Sequence, residues 1–588
     1  MRQVLLGLLV TFPTLASAQV APRPSQLVDL NTTFSAGQPC VGTDADRTVV
    51  GFVDNDPFAP RNAVCIVTSD GRGKTWSAPL RVDSGPDGTS RVTQYDSVQV
   101  VGDDVFVVWR DDRSTTLNRW DLYFNKSSDG GATFAGERRL DTAYPVDAGS
   151  VRDWRFLVVN ANDLYVFFAV ENPSGQIEAH LTASHDGGST WSSPVRVDSM
   201  QVAANRDVEC VALDVEPASP LVVHLAWIDN RNGNGSLVDV FYRRSDDGGL
   251  TLAAPDLQLD GSGAGFGDAR DFVELAVLPA TQLVGVAWLE NGLVDGDDQL
   301  QFALSNDGGA TFGVDVTVGG GTIGTDDVDW IALDAYGPNF YAAWNDDSSG
   351  SDVLYVAQAP LGTAWSSATP VSSGAALAPR FAGDPAGTVV GVVFESTVGA
   401  PHGPEAAFTT DFGVTWRDRL AYGDQPGNDA DFVNVAFNAY YRNFVSAWLS
   451  DTGSAAGANR NRVWVGGFRP QTCLAVGWDD IYDPASQVLE FGLTGFGSDT
   501  VAIVGLSLGS GPVVSTGDGR KWDIGPTIAP FGGFGFVAPL TGGDGLTTTL
   551  PNLFLGGSPV GFTVRFGAVS FRPGPGIGHL TDVFTFGL

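Results

Sequence analysis

Ten residues of this 588-residue chain stand where chemistry could be done. Six acids, Asp96, Asp153, Glu209, Asp271, Asp329 and Asp431, each open a short apolar run, and Arg380 opens another. Arg152, Arg206 and Arg270 lie within three residues of three of those acids. Carboxylates can ligate Ca²⁺ or serve as acid and base. Guanidiniums hold carboxylated ligands in two-pronged fashion. The same residues also have a plainer use, in which each acid accepts hydrogen bonds from a neighbouring strand and pairs with the nearby arginine. Either use needs a fold that gathers positions scattered over more than three hundred residues.

Other chemical signals are thin. "GLSLG" (505–509) fits a nucleophile-elbow expression but lacks a strand–turn–helix setting. The five histidines show no metal-ligand spacing, so a zinc site is not expected. "NRNGNG" (230–235) starts like a Ca²⁺ loop, but Phe241 stands where the closing Glu belongs.

The gathering fold is written in a repeat. Phe52, Trp109, Phe168, Trp227, Trp288, Trp344, Phe394 and Trp448 recur at intervals of 50 to 61 residues, each within an apolar strand pattern. Another apolar run precedes each of them and a third follows. Most units then carry a polar turn and a fourth short run such as "PLRVDS" (79–84) or "PVRVDS" (194–199). Four short strands per unit and glycine-rich turns predict a β-propeller. Eight units predict eight blades over residues 24–469, with seven as the alternative count. The last unit stops after its third strand, so "QLVDLN" (26–31) is expected to supply the fourth and close the ring. In such a ring the acids and arginines above meet at one mouth of the central channel.

The polar turn reads "SSDGGATF" (127–134), "SHDGGSTW" (184–191), "SDDGGLTL" (245–252), "SNDGGATF" (305–312) and "TTDFGVTW" (409–416). Its acids Asp129, Asp186, Asp247, Asp307 and Asp411 can accept N–H bonds within their own turn. Its glycines can take the positive φ of a tight turn, and the closing aromatic can pack on the sheet. Every feature has a structural use, and the turn is expected to be a clip.

These turns resemble the Asp-box, or BNR, repeat of the sialidase superfamily, and the resemblance spans the whole propeller. It implies a sialidase-type propeller whose boxes sit on the face away from the ligand site. It also implies that an active member would bring three arginines, a Tyr–Glu pair and an Asp. The family's F/Y-R-I-P motif is missing, since the corresponding stretch "AGQPCVG" (36–42) has no arginine.

Composition narrows the partners. The formal charge is −35 and Lys and Arg total only 33, so nucleic acid and anionic lipid are excluded as partners. "MRQVLLGLLVTFPTLASAQ" has the charge, apolar core and small-residue site of a secretory signal cut after Ala18. No later stretch is long and apolar enough for a membrane helix. Cys40, Cys65, Cys210 and Cys473 are widely spaced, and only Cys40–Cys65 offers itself as a bridge. Residues 471–588 lose the repeat and show Gly-rich alternating strands, which predicts a small β-sandwich.

The expectation is therefore an all-β, exported, monomeric, eight-bladed Asp-box β-propeller with a C-terminal β-sandwich. It binds a carbohydrate or cell-surface ligand at the channel mouth, requires no cofactor and can take Ca²⁺ there. An exo-acting glycoside hydrolase of sialidase type and a purely structural surface protein are the alternatives.

Overall fold

The structure is a computed structural model of the chain. Up to the end of the repeat it describes residues 23–28, 37–44, 47–55, 62–70, 73, 75–84, 90–91, 97–112, 119–198, 208–231, 238–260, 269–279, 281–290, 298–320, 328–347, 350–396, 403–421, 430–439, 443–450 and 462–468; beyond that it describes the backbone of short strands between Leu474 and Gly587. The described residues are all β, and they divide into two compact units, one of which is Pro24–Phe468.

Blade three shows the unit plan. Ser150–Val158, Leu164–Glu171, Ile177–Ser184 and Val195–Arg196 pair antiparallel in that order, from the channel outward. Counted by hydrogen bonding, the described residues of this unit form seven sheets. Counted by four-strand units there are eight. The difference is one strand, Thr369–Gly383, which pairs with Val353–Pro360 as the outer strand of unit six and with Val390–Ser396 as the inner strand of unit seven.

The ring closes as the repeat demanded. Arg23–Leu27 lies beside Arg462–Phe468 and completes the last unit, and the Val28 N–H donates to the Val463 carbonyl at 3.1 Å. This strand starts three residues earlier than the expected "QLVDLN". The eight recurrent aromatics are all buried, each at 2 % exposure or less. They lie in the layers between blades, and some also stack on an aromatic of their own blade, as Trp109 does on Tyr123. Trp227 of blade four, for example, lies against Tyr165 and Phe167 of blade three. The second-strand aromatic is thus the recurrent wedge of the inter-blade core, and its period is the blade period.

No Cys40–Cys65 bridge is formed. Cys40 pairs with Gly51 and Cys65 pairs with Phe52, so the whole strand Arg47–Asn55 lies between them. Two strand spacings of about 4.8 Å exceed the reach of a disulfide.

The polar turns are clips, and they clip blades to one another. In Ser127–Thr133 the Ser127 hydroxyl donates to Asp129 Oδ1 at 2.7 Å and accepts from the Gly131 N–H at 2.8 Å. Asp129 also accepts from the Thr133 N–H at 2.8 Å and the Thr133 hydroxyl at 2.6 Å. The same bonds recur around Asp186, Asp247, Asp307 and Asp411. Hydrogen bonding from Thr133 holds the Asp129 carboxyl down at about 2. The next blade back supplies the other half of the clip. Arg47 donates to the Gly130 carbonyl at 3.1 Å, His185 reaches the Gly248 carbonyl at 3.1 Å, and Asn339 donates to the Phe412 carbonyl at 2.7 Å. The closing Trp191 packs on Phe124 of blade two, with ring centroids 5.0 Å apart.

Asp186→Ala removes three acceptor bonds from a largely exposed turn. Its expected cost is about 1–2 kcal/mol. Chemical denaturation checks the loss, and ligand binding by the folded protein should be unchanged; binding lost at an unmoved midpoint would make the turn part of a site.

In the remainder of the chain, Val501–Leu508 and Thr563–Phe571 pair at the centre of one antiparallel sheet, and Val488–Leu493 pairs with Leu546–Pro551 in another.

Candidate functional site

The inner strands determine the site. An inner strand has no partner on its channel side, so its edge N–H and C=O groups must be satisfied by other means. Here a polar side chain of each of four inner strands reaches the backbone of the next blade. Gln99 of blade two accepts from the Val158 N–H at 2.8 Å and donates to the Phe156 carbonyl at 2.6 Å. Asp153 of blade three accepts from Val211 N–H at 3.1 Å, and Asp214 of blade four from Val277 N–H at 2.7 Å. Asn434 of the last blade accepts from Val41 N–H of the first at 3.1 Å.

Within this ring the channel holds two cavities that share Arg380 and Phe381. One, of about 220 Å³, is bordered by Thr43, Gln99 and Asn434, uncharged hydrogen-bonding side chains. The other, of about 240 Å³, is bordered by Arg155, Asp214, Glu274 and Asp334. Arg155 of blade three crosses in front of blade four to Glu274 of blade five, with Nη2 3.8 Å from Oε1, and its Nη1 lies 3.6 Å from Asp153. Burial pushes the Asp214 carboxyl up to about 7, backbone N–H bonds from Val277 and Val215 oppose the rise, and the Asp334 charge adds to it. Burial also raises Asp153, against the pull of Arg155. Asp334 accepts from the Tyr336 hydroxyl at 2.5 Å. The channel is therefore charged on the side of blades three to six and amide-lined on the side of blades one, two and eight.

The sequence candidates fall in several places. Asp153 binds the next blade, which is the plainer of its two expected uses. Arg380 borders both cavities and donates to the Pro379 carbonyl at 2.9 Å. Arg152 is exposed and pairs with Glu171, which Arg119 also approaches at 3.7 Å. Asp329 is exposed just before Ile331–Tyr336. Arg270, Asp271, Glu209 and Asp431 lie in inner strands whose backbone alone is described at those positions, and Asp96 and Arg206 lie outside the described residues.

Arg155, Asp214, Glu274 and Asp334 were not singled out by their sequence. They stand two to five residues past the strand-opening acids Asp153, Glu209, Asp271 and Asp329. Their signal was a lone charge inside an apolar inner run, as in "VALDV" (211–215) and "FVELAV" (272–277).

A Tyr–Glu pair does occur, though on the outer part of a blade. The Tyr144 hydroxyl donates to Glu178, which also accepts from Arg196 at 2.8 Å and Asn172 at 3.0 Å. Burial raises the Tyr144 phenol, and the Glu178 hydrogen bond raises it further. Glu178 is held down at about 2: burial opposes this, but hydrogen bonds from His180, Tyr144 and Asn172 outweigh it. Such a pair stores a phenol and a spent acceptor, the reverse of a nucleophile and its base. Among the described residues no three His, Cys, Asp or Glu side chains are grouped to hold a metal ion, and no helix is long and apolar enough to cross a membrane.

No protein-family model matches the chain, and no curated protein does. Solved structures are similar to it at low identity. A Hadza microbial sialidase, Hz136, is similar over 56 % of this chain and 66 % of its own, at 16 % identity and a TM-score of 0.33. An ulvan lyase of polysaccharide lyase family PL25 is similar over 67 % of this chain and 96 % of its own, at 12 % identity and 0.41. An α-L-arabinanase of Penicillium chrysogenum is similar over 78 % and 99 %, at 10 % identity and 0.34. The chain thus spans about two thirds of the sialidase's length.

Proposed function

We propose that this is an exported, monomeric propeller of sialidase-superfamily type that binds a carbohydrate in its channel without cleaving it. The observation that carries the reading is the charged cavity bordered by Arg155, Glu274, Asp214 and Asp334, which shares Arg380 with an amide-lined one. Carboxylates, guanidiniums and amides in a concave site are the partners that vicinal hydroxyls and amines need. Three carboxylates against two guanidiniums, in a chain of formal charge −35, select against anionic sugars and for neutral or amine-bearing ones. Ca²⁺ is not needed, because Arg155 and Arg380 already stand among the carboxylates.

The test is a glycan array with neutral, amine-bearing and sialylated members, run beside a fluorogenic sialoside assay. A neutral or amine-bearing saccharide should bind, and Glu274→Gln and Arg155→Ala should each weaken it by roughly tenfold, the loss of one charged hydrogen-bonding group. Sialoside turnover would instead establish the hydrolase. Equal binding by wild type and both variants would move the ligand out of the channel.

A further inference from the structure

Asp214 stands apart from the other charged groups on the wall of the charged cavity. Arg155 lies between Asp153 and Glu274, and Arg380 donates to the Pro379 carbonyl. Asp334 accepts from the Tyr336 hydroxyl and the Ala335 N–H. Asp214 accepts two backbone N–H groups, from Val215 on Oδ1 at 2.8 Å and from Val277 on Oδ2 at 2.7 Å. Among the described residues no Lys, Arg or His stands at ion-pair distance from it. The charge that does act on it is a like one, Asp334 of blade six.

An ionised carboxylate can accept about four hydrogen bonds, two at each oxygen. Each oxygen of Asp214 therefore keeps one acceptor direction after its backbone bond. The side chain is half-buried, and the space it borders is the cavity of about 240 Å³. That volume lies below the roughly 300–1,000 Å³ of a drug-sized pocket and suits one sugar ring.

The geometry points to Asp214 as the residue that selects an amino sugar, its carboxylate pairing with the ligand's ammonium inside the charged cavity. This rests on the reading of the channel as a carbohydrate site and names the class of sugar. An ammonium brings three donors, no acceptor and the positive charge that Asp214 otherwise lacks. A hydroxyl brings a donor without the charge, and leaves the desolvated carboxylate uncompensated. An N-acetyl group removes the charge and turns a carbonyl acceptor toward carboxylates. Burial pushes the Asp214 carboxyl of the free protein up to about 7, and the Asp334 charge adds to the rise. The other described charged and titratable groups around it are Glu274, Arg155 and Arg380 on the cavity wall, Glu216 on its own strand and His224 opposite on the next. Burial keeps His224 neutral. The ammonium needs the carboxylate, so a proton leaves Asp214 as the amine enters. Affinity for the amine is therefore weakest in acid, rises with pH and levels above about 7.

The experiment is calorimetry of glucosamine and galactosamine, and of their N-acetyl forms, binding to wild type and Asp214→Asn between pH 5 and pH 7. At pH 7 the wild type should bind one of the amines roughly tenfold tighter than its N-acetyl form, the worth of one charge-assisted bond. That affinity should rise roughly tenfold or more from pH 5 to pH 7, with proton release seen as a dependence of the heat on the buffer. Asp214→Asn should bring the two forms within about twofold of each other and flatten the profile. If that variant fails to fold, the proton release and pH profile of the wild type decide alone. An N-acetyl form bound as well as its amine, or an amine bound without proton release, would overturn the role of Asp214 and leave the channel a carbohydrate site. Binding of neither form would overturn that reading and the assignment with it.

Discussion

Arg231→Ala is expected to destabilise the propeller by about 3–5 kcal/mol, the cost of stripping the partner from buried charges. Arg231 is held by Asp229, with Nε 2.8 Å from Oδ1, and by Asp256, 2.5 Å from Nη1. The side chains of all three are nearly closed to solvent, at 6 %, 0 % and 4 % exposure. The guanidinium also lies 3.7 Å above the centre of the Phe241 ring. Asp229 keeps the Trp227 indole N–H at 2.8 Å and the backbone N–H of residue 231 at 3.0 Å, and Asp256 keeps Arg243 at 3.3 Å, but removing the guanidinium takes away the cation that joins the two buried carboxylates. Arg231→Lys keeps the charge but loses the fork, and it should recover only part of the loss. Denaturant midpoints check both. A change below about 1 kcal/mol for Arg231→Ala, the level of a surface ion pair, would mean that water reaches this cluster.

Gly309→Ala should be nearly as damaging, for a steric reason. Gly309 has φ of 82°, and a Cβ built on it would lie 1.7 Å from the Tyr242 hydroxyl oxygen of the preceding blade. Tyr242 is 1 % exposed, and its hydroxyl is tied to His224 Nδ1 at 2.6 Å, so it cannot step back. Burial keeps His224 neutral by pushing it down to about 3. Overpacking and the left-handed backbone together should cost about 2–4 kcal/mol. Gly102→Ala is the control: its φ is 59° and a Cβ there meets nothing within 4 Å, so only the backbone cost of about 1 kcal/mol remains. Equal midpoints for the two variants would mean that the clip yields rather than clashes.

Gly309 also shows how far the repeat could be understood from sequence. A glycine at that place was readable as a positive-φ residue of a tight turn. That its missing Cβ makes room for the neighbouring blade was not readable, because Tyr242 is 67 residues away and belongs to another unit.

What the sequence alone determined was whatever depends on period. Aromatics every 50 to 61 residues can be buried together only if each unit presents the same face to the next, so the propeller, its units and its closure by an N-terminal strand follow from spacing. The clip turns follow too, because Ser, Asp, Gly and Thr at fixed offsets bond within eight residues. Two things needed the tertiary structure. One was the count of sheets, because Thr369–Gly383 serves two units through a continuity no composition reveals. The other was the site. Among the strand-opening residues whose side chains are described, Arg380 borders both cavities and Asp153 bonds Val211, while Arg155, Asp214, Glu274 and Asp334 further along their strands border one of them. Which charge on an inner strand looks into the channel depends on the twist and stagger of blades packed around an axis. That is a relation between units, and a local pattern of residues does not contain it.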